Sequence, residues 1–176
     1  MKHEHERRSK LAVQWPDTPF RVSLVEPEIP PNTGNIARLC AATGSPLHLV
    51  EPLGFKLTDA ALKRAGLDYW ESVTLIRHAS YERFAAAVSP ARLFFFSTQG
   101  EHPYTAARYE PGDVLVFGSE SKGLPAELLA SNARNVLTIP VRTECVRSLN
   151  LATAVGIVLY EALRQTMAGI VQNTQL

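Results

Sequence analysis

Three loops of small and polar residues carry the side chains best suited to binding a ligand. They are STQG after Phe96, GSESKGLP after Phe117 and VRTECVRSLN after Pro140, and each follows an apolar run. Small residues let a backbone approach a ligand closely, while hydroxyl, amide and carboxylate groups bind its polar atoms. If the apolar runs are parallel strands, all three loops meet at the sheet edge where ligands bind. Read singly, each loop is equally consistent with an ordinary strand–helix connection.

The GSESKGLP loop matches neither of the common phosphate-binding motifs. Lys122 is not followed by serine or threonine, and the glycine spacing does not fit G-x-G-x-x-G. The sequence therefore argues against a P-loop and against a nicotinamide dehydrogenase on a doubly wound sheet.

An arginine stands on the first predicted helix, in the segment EPEIPPNTGNIARLCAATG. The prolines are expected to prevent a helix before Asn32, which is a good N-cap residue. Cys40 falls on the apolar face and is interpreted as a core residue rather than a nucleophile. Arg38 lies off that face and can project into the cleft, where its planar fork could bind phosphate or carboxylate. A solvated surface arginine explains the same position.

Basic residues and aromatic residues lie close together in the segment GFKLTDAALKRAGLDYW. Lys56, Lys63 and Arg64 precede Tyr69 and Trp70, a combination that suits a nucleic-acid backbone beside a stacking platform. A solvated helix face followed by buried aromatic side chains explains the same residues.

Six short apolar runs are predicted to be the strands that position these loops. They are nearly continuous rather than alternating, as in strands covered on both faces: Val22–Val25, Leu47–Val50, Val73–Ile76, Leu93–Phe96, Val114–Phe117 and Val136–Ile139. Segments with helical signals lie between and after them: Asn32–Thr43, Thr58–Ala65, Ser80–Val88, Pro125–Ser131 and a long helix from Leu151. This alternation predicts an α/β fold, with a parallel sheet and helices on both faces. The pattern does not determine the strand order.

The composition is that of an ordinary globular protein, with 176 residues, 45% hydrophobic, 20% charged and a formal net charge of +1. We expect one domain at residues 20–168, a flexible extension at 1–19 and a C-terminal tail at 169–176. Cys40 and Cys145 have no CxxC partner, so no zinc site or disulfide framework is predicted. No apolar run is long enough for a membrane span and no secretory signal is present, which favours a cytoplasmic protein.

Three segments together resemble the SPOUT superfamily of RNA methyltransferases: PPNTGNIARLCAATG, LVFGSESKGLP and IPVRTECVRSLNLATAVGIVLYEALRQ. They match in order and spacing, and the resemblance runs from Arg21 to about Thr166. The chain is most similar to the single-domain 2′-O-ribose methyltransferases that act on the wobble nucleotide, position 34, of tRNA. The resemblance implies a parallel α/β sheet whose C-terminal segment is threaded into a trefoil knot.

The resemblance also implies the residues of the site. S-adenosylmethionine would lie in a pocket formed by the three loops, and the matching positions are Phe96, Thr98, Gly118, Glu120, Ile139, Ser148, Leu149 and Asn150. The first-motif arginine, here Arg38, would act on the ribose 2′-hydroxyl, either by taking its proton or by stabilising the alkoxide. Asn32, Glu120, Ser148 and Asn150 would shape the catalytic site around it.

The partners expected from the resemblance are the anticodon stem-loop of a tRNA and a second copy of the chain. Phosphate contacts are assigned to basic residues in or near the motifs: Lys56, Lys63, Arg64, Lys122, Arg142 and Arg147. No metal is expected. Two alternatives stay open, namely the same reaction on another tRNA position or on rRNA, and an RNA-binding module without catalysis.

Overall fold

The computed structural model describes residues 13–56, 72–142 and 144–167. The predicted helix Thr58–Ala65, with Lys63 and Arg64, lies outside the described residues, as do Tyr69 and Trp70. The same is true of most of the predicted N-terminal extension and of the predicted C-terminal tail at 169–176.

Among the described residues, seven parallel strands form one sheet. The strands are β1 Arg21–Val25, β2 Leu47–Val50, β3 Leu75–His78, β4 Leu93–Phe96, β5 His102–Pro103, β6 Val114–Phe117 and β7 Val136–Thr138. Their order across the sheet is β3-β2-β1-β6-β4-β7-β5. On one side of β1 the chain adds β2 and then β3. The later strands lie on the other side of β1, where β6 is its neighbour. Such a change of direction is where open α/β sheets bind ligands.

The predicted parallel sheet is confirmed, with two differences larger than one residue at a strand end. The run predicted at Val73–Ile76 forms a strand at Leu75–His78 instead. Ile76 and Arg77 are exposed on this edge strand, so the apolar run in the sequence does not coincide with the first and last residues of the strand. The short strand His102–Pro103 was not predicted, because both residues are exposed and polar or helix-breaking rather than apolar.

Four α-helices are described: α1 Pro30–Thr43, α2 Tyr81–Val88, α3 Ala126–Ser131 and α4 Leu151–Thr166. Ser80 caps α2 by accepting a hydrogen bond from the Arg83 N–H. Gly44 ends α1 in the left-handed region at φ 68°, as a C-terminal glycine commonly does. The α4 helix begins after Asn150, whose side chain accepts from the Ala152 and Thr153 N–H groups.

The prediction that α1 begins with Asn32 as its N-cap is wrong. Pro30 and Pro31 occupy the first two positions of the helix, and Ile29 stands at the N-cap without a capping side chain. Proline is tolerated there because the first N–H groups of a helix have no partner within the helix. The side chain of Asn32 is therefore available for contacts outside its own helix.

The sheet separates two apolar cores. In β6, Leu115 and Phe117 pack into the core shared with α1 and α4, whereas Val114 and Val116 pack into the core beneath α2 and α3. Burial on both faces is what the continuous apolar runs predicted. Within the described ranges, no helix is long and apolar enough to cross a lipid bilayer.

Candidate active site

A cavity of about 510 Å³ lies at the carboxyl edge of the sheet, between the loops that follow β4, β6 and β7. These loops meet because parallel strands place all their carboxyl ends at one edge. The eight residues predicted to hold the cofactor all line this cavity: Phe96, Thr98, Gly118, Glu120, Ile139, Ser148, Leu149 and Asn150. The fold thus brings together residues up to 54 positions apart (96 to 150) along the chain.

The floor of the cavity is apolar. Phe96 and Phe117 come from adjacent strands, and their rings stack with centroids 4.8 Å apart and planes 18° apart. Ile139 and Leu149 add half-buried aliphatic side chains at the end of β7 and before α4. The arrangement suits a flat, partly apolar group held against the strand ends.

The loop from Gly118 to Leu124, called the β6 loop below, is tightly folded. Ser119 and Gly123 exchange two backbone hydrogen bonds of 3.2 and 2.9 Å, which close the base of the loop. A Cβ atom on Gly118 would lie 2.0 Å from the carbonyl carbon of Gly123. Glycine is therefore required at position 118, and Gly123 adopts the left-handed conformation at φ 70°.

Glu120 projects from the β6 loop to the N-terminus of α1. One carboxylate oxygen accepts from the Glu28 N–H at 2.8 Å, and the other accepts from the Ile29 N–H at 3.3 Å and from Asn32 Nδ2 at 2.8 Å. A carboxylate at this end of a helix interacts favourably with the helix dipole. With three donors on its two oxygens, Glu120 is suited to hold the β6 loop against α1 rather than to accept a substrate proton.

A second amide extends this network to α4. Asn150 Nδ2 donates to Asn32 Oδ1 at 2.9 Å, while Asn150 Oδ1 accepts from the first N–H groups of α4. The N-termini of α1 and α4 are therefore joined through Glu120, Asn32 and Asn150. Three of the predicted site residues lie within a single hydrogen-bonded chain.

The predicted basic residues within the described ranges divide into two groups. Lys122 and Arg147 line the cavity and are exposed to solvent. Arg38, Lys56 and Arg142 are exposed but do not line it. Arg38 follows Asn32 by six residues on α1, which places it about 9 Å further along the helix axis.

Two further residues, Ser121 in the cavity lining and Glu28 beside it, were not assigned a role from the sequence. The Glu28 carboxylate accepts from Ser121 N–H at 3.0 Å and from Ser121 Oγ at 2.7 Å. Glu28 stands within a recognisable motif, but its partner is 93 residues away. A single sequence has no signal for such a pairing, so only the folded chain reveals it.

Cys40, His48 and His78 are buried titratable residues that lie outside the cavity. Cys40 is fully buried in the core, and burial raises the pKa of its thiol to about 12, in agreement with the predicted structural role. His48 on β2 and His78 on β3 stack with ring centroids 5.2 Å apart and nitrogens 2.9 Å apart. Burial lowers the pKa of His48 to about 4, with smaller contributions from His78 and Arg21.

The all-parallel sheet and its three-loop cavity are those of an α/β protein with a pocket suited to a small ligand at the carboxyl edge of its strands. Residues 19–160 match the model of the SpoU rRNA Methylase family, and the chain belongs to that family. The family predicted from the three motifs is thereby confirmed.

Relatives with assigned activities match most of the chain. It is 50% identical over 147 residues to the tRNA (cytidine(34)-2′-O)-methyltransferase of Escherichia coli strain K12, covering 83% of this chain and 93% of that protein. A solved structure that concerns the 2-OH methylation of C/U34 on tRNA superposes with a TM-score of 0.78 at 52% identity, covering 84% of this chain and 96% of the other. The AdoMet-bound rRNA methyltransferase from Sinorhizobium meliloti superposes with a TM-score of 0.75 at 29% identity, over 87% of this chain and 59% of the other. The trefoil knot stays a prediction from the resemblance.

Proposed function

We propose that this protein transfers a methyl group from S-adenosylmethionine to the ribose 2′-hydroxyl of nucleotide 34 of a tRNA. The observation that carries the proposal is the cavity in which all eight predicted cofactor residues meet. The two relatives that act on nucleotide 34 support the same substrate, at 50% and 52% identity.

The cavity fits S-adenosylmethionine in size and in chemistry. Its volume of about 510 Å³ lies within the range of about 300–1,000 Å³ for small-molecule pockets. Phe96, Ile139 and Leu149 offer apolar contacts to a purine ring, while Thr98 and Ser148 offer hydroxyl groups. When bound, the cofactor supplies an electrophilic methyl group on a sulfonium sulfur. The residues of this chain must then position the ribose and assist loss of its hydroxyl proton.

Arg38 is proposed to act on the RNA side of the reaction. It is exposed on α1 and does not line the cavity, so we assign it to the RNA rather than to the cofactor. Because a guanidinium stays protonated in proteins, Arg38 is better suited to stabilise a developing alkoxide and bind a phosphate than to remove a proton. Glu120, Asn32 and Asn150 join α1, the β6 loop and α4 through their hydrogen bonds.

The exposed cations near the cavity are proposed to bind the tRNA backbone. Lys122 and Arg147 stand at the cavity itself, where they could contact phosphates flanking the target nucleotide. The same role is proposed for the remaining candidates, Lys56 and Arg142, and for Lys63 and Arg64, which lie outside the described residues. We further propose that two copies of the chain form a homodimer that holds the stem-loop, and that the enzyme acts in the cytoplasm.

Methylation of rRNA is the less favoured substrate assignment. The S. meliloti rRNA methyltransferase is only 29% identical, and the matched region spans 59% of it. The tRNA relatives are matched over more than nine-tenths of their length at about 50% identity.

Two measurements test the proposal. Titration calorimetry with S-adenosylhomocysteine should show one site per chain, since the product occupies the same cavity. Transfer of tritiated methyl groups should then be detected with bulk tRNA and not with rRNA. Absence of binding would contradict the methyltransferase assignment, whereas binding with transfer only to rRNA would contradict the substrate.

A further inference from the structure

We propose that Glu28 is a positioning residue that locks the β6 loop in its cofactor-binding shape. The inference rests on the proposed function, because the shape matters only if the cavity holds the cofactor. It concerns a residue that does not line the cavity and acts through Ser121, which does.

The contacts between the two loops are reciprocal. The Glu28 carboxylate accepts from Ser121 N–H at 3.0 Å and from Ser121 Oγ at 2.7 Å. In return, the Glu28 N–H donates to Glu120 Oε2 at 2.8 Å. Each loop thus presents a carboxylate to backbone N–H groups of the other, and hydrogen bonds to ionised acceptors are the stronger kind.

Glu28 is itself held from the opposite side. The Gly54 N–H donates to the Pro27 carbonyl at 2.9 Å, which fixes the turn after β2 against this segment. A Cβ atom on Gly54 would lie 2.8 Å from Glu28 Cα, so the two backbones are in close contact. The carboxylate of Glu28 is therefore presented from a fixed position.

At the tip of the β6 loop, Ser121 depends on this contact, whereas Glu120 is held by its own three hydrogen bonds. The hydrogen bonds between Ser119 and Gly123 close the base of the loop, whereas both the N–H and the hydroxyl of Ser121 at the tip bind Glu28. Ser121 is exposed, so burial does not hold it. Without the carboxylate, the tip could adopt other conformations. Ordering it on binding would then reduce the binding free energy of the cofactor.

The test uses Glu28→Ala, Glu28→Gln and the matched control Glu110→Ala. Glu110 forms an exposed ion pair with Arg92 and does not line the cavity. We expect Glu28→Ala to weaken S-adenosylhomocysteine binding at least tenfold and to raise KM for the cofactor. Its kcat at saturating cofactor should stay within threefold of the wild-type value. Glutamine can keep both contacts with Ser121, so Glu28→Gln should bind within threefold of the wild type. Glu110→Ala should bind as the wild type does.

The outcomes separate this inference from the proposed function. Wild-type protein that binds no S-adenosylhomocysteine would overturn both. Wild-type binding with equally tight binding by Glu28→Ala would overturn the positioning role alone. If Glu28→Ala fails to fold, Ser121→Ala removes only the hydroxyl contact and should weaken binding by a few fold; unchanged affinity there would also overturn the role.

Discussion

At the scale of single residues, the site depends on which side chains donate and which accept in the hydrogen-bonded chain Asn150–Asn32–Glu120. An ionised Glu120 can only accept, so Asn32 must present its amide NH₂ to that carboxylate. The Asn32 oxygen then accepts from Asn150, whose own oxygen accepts from the first N–H groups of α4. Each side chain fixes the orientation of the next. The predicted site residues therefore act first as a frame that aligns two helices and the β6 loop.

Replacing Asn32 by aspartate should disrupt this frame. The substitution removes the donor to Glu120 and places a second carboxylate where the amide lies 2.8 Å away. We expect a loss of about 2–3 kcal/mol in the free energy of unfolding, measured by urea denaturation, together with weaker cofactor binding. Asn35→Asp is the control, because Asn35 is exposed on the same helix. Equal stability of the two variants would contradict the frame.

Arg38→Ala should separate cofactor binding from methyl transfer. Arg38 does not line the cavity, so calorimetry should give wild-type affinity for S-adenosylhomocysteine. The single-turnover rate on tRNA should fall at least about a hundredfold, since a charge stabiliser of the transition state is lost. Arg83→Ala, at an exposed position on α2, should leave the rate unchanged. Retained turnover in Arg38→Ala would remove this arginine from the mechanism.

The residues assigned to the site from the sequence lie together in the structure, but their contacts were not predictable. Asn32 and Glu120 stand out in the motifs, yet their pairing joins positions 88 residues apart. The predicted N-cap role of Asn32 was wrong because the first turn of α1 tolerates Pro30 and Pro31. Glu28 carried no chemical signal of its own, although it holds Ser121.

At the scale of elements, the strands were predictable where the sheet buries both of their faces. Leu47–Val50 and Val114–Phe117 have the predicted bounds, and every residue in them is buried. The edge strand Leu75–His78 is displaced by two residues from the predicted run, because the sheet leaves part of it exposed. A hydrophobic run in the sequence indicates a buried segment, so it does not predict the bounds of a partly exposed edge strand.

The β6 loop should not tolerate a side chain at its first residue. In Gly118→Ala the new Cβ would lie 2.0 Å from the Gly123 carbonyl carbon, so the loop must open. We expect a loss of about 2 kcal/mol or more in stability and a large loss of cofactor affinity. In Gly156→Ala, the control on α4, the nearest atom is Leu39 Cδ2 at 3.9 Å, and helix propensity should preserve or raise stability. A wild-type melting temperature and affinity for Gly118→Ala would contradict the geometry.

The histidine pair between β2 and β3 should make stability depend on pH. The pKa of His48 in the folded protein is lowered to about 4, below an unfolded value of about 6.5. Its contribution to stability is therefore fully present above pH 6.5 and is lost as the pH falls towards 4. His48→Gln should flatten the stability profile between those limits. The control His102→Gln, at an exposed position, should leave the stability profile unchanged. An unchanged profile in His48→Gln would contradict this assignment.

At the scale of the whole molecule, one sheet edge gathers the cavity, the N-termini of two helices and the exposed cations Lys122 and Arg147. The fold class followed from alternating apolar runs and helical segments, because that pattern permits few architectures. The strand order did not follow, since it depends on contacts between distant parts of the chain. The reaction assigned to this edge came from the motifs and the family, because a fold alone does not specify chemistry.

The most direct test compares two tRNA substrates that differ by a single oxygen atom. One carries the ordinary ribose at nucleotide 34, and the other carries a 2′-deoxyribose there. With wild-type enzyme and S-adenosylmethionine, mass spectrometry of nuclease fragments should find one added methyl group on nucleotide 34 of the first tRNA and none on the second. Methylation of the deoxy substrate, or of any other nucleotide in both, would contradict the account.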